Sequence, residues 1–118
     1  MALLKKIMKN DYREVVVKWT GSGSDTLTLA SLIATGQTVT TNPAAAIVAA
    51  SVSTAGACTL TRNAQVALST IGQFNYFYDD IHGMIDENST ADIAVNLASE
   101  GTVIIRVRKT QGYTEPTI

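Results

Sequence analysis

The chain has a single cysteine, Cys58, so no disulfide can form within it. Packing and hydrogen bonds alone must hold the fold. It has one histidine, His82, and one tryptophan, Trp19, and aromatic residues make up only 6% of it. A cupin-type metal site wants several histidines, and no spacing here matches a zinc or EF-hand pattern. Charged residues are scarce at 16%, against about 25% in soluble domains. So sparsely charged a surface protects poorly against association, which suits a protein that assembles. The net charge of −1 argues against a general binder of nucleic acid or anionic membrane. The longest apolar run, Ala44–Ala50, is too short to span a bilayer, and Ala2-Leu3-Leu4 is too short for a signal-peptide core.

What is present is β-forming. Small and branched aliphatics dominate, with 16 threonines and 8 serines among 118 residues. Thr is β-branched and fits a half-exposed pleated face. Short runs alternate apolar with Thr, Ser or charged residues and are broken by Gly, Asn, Asp or Pro. The clearest are Val15–Thr20, Thr26–Leu32, Ala45–Ser53, Cys58–Arg62, Ala91–Leu97 and Thr102–Lys109. Strand-sized runs at this spacing predict an all-β, two-sheet sandwich, jelly-roll-like, with about eight short strands. The expected organisation is an N-terminal arm over 1–10, a sandwich domain over 11–110 and a C-terminal extension over 111–118.

Along that domain, Trp19 is expected on the core face of the first strand. Gly21-Ser22-Gly23-Ser24 reads as a hairpin turn, since glycine permits positive φ. It is no phosphate loop, lacking the Lys-Ser/Thr and the helix that such a loop needs. Pro43 sits at the start of the next strand, where no interior ladder bond is lost. Residues 44–53 and Cys58–Arg62 are expected to pair as a hairpin, as are Cys58–Arg62 and Gln65–Thr70 about Asn63-Ala64. Cys58 reads as a small core residue. Ile93, Val95 and Leu97, then Val103, Ile105 and Val107, point inward on two strands joined by a turn at Ser99-Glu100-Gly101.

Candidate chemistry is thin. His82 lies among Asp79, Asp80, Asp86 and Glu87, which offers either a divalent-cation site or a solvated acidic turn. No nucleophile elbow accompanies it, so an enzyme is not expected and neither is a cofactor. Phe74, Tyr76 and Tyr78 share one face of a strand and suit sugar stacking, core packing or subunit contact. Arg106, Arg108 and Lys109 form a basic stripe, too few charges for more than weak, salt-sensitive nucleic-acid binding. Lys5, Lys6, Lys9, Arg13 and Lys18 make the N-terminal stretch basic, and residues 79–92 are acidic. Two solvated patches or complementary contacts between neighbouring subunits both fit.

The order Val15-Val16-Val17-Lys18-Trp19, Leu27-Thr28-Leu29, Cys58-Thr59-Leu60-Thr61-Arg62-Asn63, Ile93 and Gly101–Lys109 carries a resemblance. It resembles the small virion structural proteins of tailed phages, particularly head decoration or cement proteins of cyanophage-like viruses. The likeness is one of style and length, and no diagnostic motif or site residue is carried over. It implies a capsid-surface protein made in the host cytoplasm. Such a protein would bind the major capsid protein or other virion proteins, as a homotrimer, and lock the shell. A neck or tail component is the nearest alternative; a carbohydrate-binding module using Phe74, Tyr76 or Tyr78 is another. The residues expected to touch the partner are Leu3, Leu4, Lys5, Lys6, Ile7, Lys9, Tyr76, Tyr78, Arg106 and Arg108. Removing residues 1–10 is expected to leave the fold intact.

Overall fold

Strict alternation builds the frame. Glu14–Leu27 (β2) buries Val15, Val17, Trp19 and Leu27, and Ile93–Tyr113 (β8) buries Ile93, Val95, Leu97, Val103, Ile105 and Val107. Each set lies on one face because successive strand side chains point to opposite sides. The computed structural model describes residues 3–77 and 86–114. It adds Leu4–Asn10 (β1), Val39–Thr54 (β3), Ala57–Arg62 (β4), Gln65–Ile71 (β5), Phe74–Phe77 (β6) and Asp86–Ser89 (β7). Among the described residues the only helical element is a 3₁₀ turn at Leu29–Ser31. All pairings are antiparallel, and the chain is an all-β sandwich of eight strands.

β8 is the spine. On one side β2 pairs with it from Leu27↔Ile93 to Glu14↔Arg108. On the other, β4 pairs with Ile93–Leu97 and β3 runs beside it from Gly101 to Tyr113. β1 lies on the far side of β2, β5 on β4, and β6 and β7 on β3. Three chain paths therefore run together, and the pairing on both sides of β8 is interrupted at one level. β2 shifts register between Gly21 and Gly23, opposite residues 98–100. β3 ends at Thr54↔Gly101 and β4 resumes at Cys58↔Leu97. Gly21 and Gly23 have φ of 117° and 118°, which L side chains rarely adopt. Here the network bends over into two layers around one core, which joins Trp19, Ile47 and Ile105 to Cys58, Leu60 and Val95. Trp19 is fully buried, and its indole N–H donates to Asp25 Oδ2 at 2.8 Å.

Several expectations change as a result. Gly21–Ser24 is a bulged corner inside β2 rather than a hairpin turn, and β2 stops at Leu27 before the 3₁₀ turn. Ser99-Glu100-Gly101 does not separate two strands, because β8 passes straight through. β3 and β4 are not hydrogen-bonded to each other but succeed one another along β8. The arm expected over 1–10 is, from Leu4 to Asn10, the edge strand β1. The extension expected from 111 begins inside β8, which runs on to Tyr113. β3 begins at Val39, before Pro43, with a register shift between Val39 and Ala44. The β4–β5 hairpin about Asn63-Ala64 is as expected, Trp19 faces the core, and Cys58 is buried.

Two substitutions test this geometry. Asn63 and Ala64 have φ of 54° and 61°, a two-residue turn with both residues left-handed. Ala64→Gly relieves the strain and raises stability by about 1 kcal/mol in urea denaturation. A Cβ on Gly101 would lie 2.6 Å from the Ser53 carbonyl oxygen and from Thr54 Cβ. Gly101→Ala therefore lowers stability by about 1–3 kcal/mol, measured the same way.

Candidate functional site

The strand registers gather the cations. The outward positions of β1, β2, β8 and β3 align in rows: Lys6, Lys18, Ile104, Ser51, and beside it Lys9, Val16, Arg106, Ala49. The next row holds Glu14, Arg108 and Ala46. Five of the chain's nine basic residues thus share one sheet face, and in these rows, among the described residues, they meet a single carboxylate, Glu14. Glu14 reaches Lys9 Nζ at 3.9 Å, Arg106 Nε at 3.8 Å and Arg108 Nη2 at 3.8 Å. Contacts this long between partly exposed groups contribute ~0–1 kcal/mol each. Arg106 Nε is buried without a hydrogen bond. Among the described residues, no ion pair involves Lys6 or Lys18. Between the cations lies an apolar groove of about 220 Å³, lined by Val16, Ala49, Ala50, Ser51, Ile104 and Arg106.

The outer face of the other layer is different in kind. Its rows are Ser24, Asn96, Thr59, Ser69 and Thr26, Ala94, Thr61, Val66, with no charged side chain. The two faces of one sandwich are therefore electrostatically unlike.

One end of the sandwich holds a buried polar network. Lys109 is 9% exposed, and its three ammonium protons meet three acceptors. These are Asn10 Oδ1 at 2.8 Å, the Asp11 carbonyl at 2.8 Å and Gln37 Oε1 at 2.5 Å. Gln37 uses all four of its own positions. Its amide donates to the carbonyls of Tyr12 and Thr114, and Oε1 also accepts from Ala34 N–H. The network ties β1, the loop at 34–38 and the end of β8 together. Beside it, Asp11 Oδ1 accepts from the Arg13 and Glu14 amides, and those bonds hold its carboxyl below the usual carboxylate range. A polar cleft of about 570 Å³ opens here, lined by Asp11, Arg13, Glu14, Arg108 and Lys109.

The sequence-predicted residues scatter over these features. Lys6, Lys9, Arg106 and Arg108 share the basic face. Lys109, expected in the same stripe, points inward because it has the parity of Val107, and it leaves the stripe. Leu3 packs against the core, while Leu4, Lys5 and Ile7 are exposed along β1. Tyr76 pairs with Ala50 and is half-buried on the inner side, away from the arginines, and Phe74 packs against the core. Tyr78 and His82 lie outside the described residues, as do Asp79 and Asp80. Missing from the sequence reading were Glu14, Val16, Lys18 and Ile104 as members of the face, and Gln37 as the partner of Lys109. Alternation showed that Val16, Lys18 and Ile104 point outward; nothing local showed that they lie side by side.

Among the described residues no group of three or more His, Cys, Asp or Glu is placed to hold a metal ion. No protein-family model matches the chain, and neither does any curated protein.

The buried ammonium gives a pH signature. Burial pushes Lys109 down from 10.5 to about 8, against the opposing pull of the Asp11 charge. Above pH 8 the unfolded chain holds this proton more tightly than the folded one, so stability rises with pH up to about 10.5. Tyr113 acts the other way: burial lifts its hydroxyl from 10.0 to about 12, so stability falls across that interval. The urea midpoint of the wild type, measured relative to Lys109→Met, should climb between pH 8 and 10. A difference independent of pH would remove Lys109 as its source.

Proposed function

We propose that the protein is a non-enzymatic virion component that binds and stabilises a phage capsid lattice, acting as a homotrimer. The single observation that carries this reading is the free outer edge of β1. Among the described residues β1 pairs only with β2, so its other edge offers backbone N–H and C=O groups to a further strand. Leu4 is 63% exposed there, Met8 53% and Ile7 42%. Three lysines in the same strand oppose pairing between two copies of it, a common device on sheet edges. The edge is thus adhesive toward something other than itself. Repetition over a lattice multiplies weak contacts of this kind into firm attachment.

β1 also belongs to the fold, since Asn10 accepts from the buried Lys109. Removing residues 1–10 therefore strips a strand and part of the polar network, and point substitutions make the cleaner test. Leu4→Asp with Ile7→Asp should keep the far-ultraviolet circular dichroism of the wild type. It should reduce co-sedimentation with shells that lack the protein by tenfold or more, a loss of about 1.4 kcal/mol or more. Undiminished attachment of a folded double variant would remove the edge from the model. Copy number in particles separates a lattice protein from a ring in the neck or tail.

A further inference from the structure

We infer that the outer face of β2, β8 and β3 is a docking surface for an extended acidic segment of a partner protein, one that carries an apolar side chain for the groove. Four observations converge on this occupant. The groove of about 220 Å³ between Val16, Ile104 and Ala49 is sized for a side chain rather than a cofactor. Cations flank it on neighbouring strands, with Lys18 beside Ile104 and Arg106 in its wall. The Arg106 side chain lines the groove and keeps 37% of its surface exposed, so its guanidinium offers donors to a carboxylate. Arg106 and Arg108 are two residues apart on one strand, a repeat of about 6.8 Å. Alternate side chains of an extended peptide have the same repeat, so carboxylates at every second position match the arginines in step.

The charge is concentrated on this face although the whole chain carries −1, while the opposite face, around Thr59, Thr61 and Asn96, has none. That asymmetry assigns partner recognition to one side of the sandwich. A protein segment fits better than nucleic acid. The apolar groove takes an aliphatic side chain, which a phosphate backbone does not supply. The rows run on to Lys6 and Lys9 of β1, but the surface uses side chains of the sheet face and not that strand's backbone edge, and any protein with such a segment would be bound. It therefore stands independently of the shell-binding reading, and its test needs no shell.

The probe is a fluorescein-labelled, acetylated peptide in which glutamates flank one central leucine. Fluorescence anisotropy with the full chain should show saturable binding that weakens as salt is raised. Binding should fall tenfold or more for Arg106→Glu and for Lys18→Glu. It should also fall when the peptide's leucine becomes serine, and stay unchanged for Thr59→Glu on the opposite face. Circular dichroism and urea midpoints establish that each variant is folded. Failure of the folded wild type to bind the peptide would overturn the proposal. So would tighter binding of a single-stranded oligonucleotide or of vesicles containing phosphatidylserine. Self-association that competes with the peptide and is lost in Arg106→Glu would assign the face to a second copy and overturn it equally.

Discussion

Everything in this molecule hangs on the double-sided pairing of one long strand. Residues 93–113 are hydrogen-bonded to β2 on one side and to β4 and then β3 on the other. A strand that serves both layers makes the layers one cooperative unit, because neither can be lost without exposing the other's ladder. It also concentrates the geometric difficulty in one place. Three adjacent chain paths must turn together, so Gly21 and Gly23 take a backbone that side chains rarely adopt, and Gly101 lies against the backbone of Ser53. Bulges with glycine at the corners of sheets produce this bend elsewhere for the same steric reason.

The polar end of the sandwich answers a different problem. A buried ammonium is costly unless each proton has a partner. Lys109 meets that condition with acceptors from the adjacent Asn10 and Asp11 at the end of β1 and from Gln37 in the 34–38 loop, two segments far from it in sequence. Its ring contact with Tyr113, 5.2 Å to the centroid, adds a cation–π attraction. The edge strand proposed to adhere is thereby anchored at its inner end, while its exposed apolar residues lie toward its free length. An edge that is fixed in place loses little conformational entropy when a partner pairs with it.

The basic face arises from register. Lys6, Lys18 and Ile104 stand in one row only because β1, β2 and β8 pair with particular offsets, and a slip of one residue would turn every one of them toward the core. Alternation alone marked Val16 and Lys18 as outward on one strand and Ile104, Arg106 and Arg108 as outward on another. It could not state that the two sets are neighbours. The same pattern that showed Val107 facing inward should have placed Lys109 with it.

By its own residues the chain determined that it would be β, which side of each strand would be buried, and where the Asn63-Ala64 hairpin would turn. These are local matters of branching, alternation and turn chemistry. Only the tertiary structure decided that Gly21–Ser24 and Ser99–Gly101 are corners within continuous strands, that β3 and β4 share one neighbour, and that scattered lysines and arginines meet on one face. A glycine pair looks the same in a tight turn as in a bulge. The distinction is made by hydrogen bonds to strands seventy or more residues away, and no local stretch of sequence contains those.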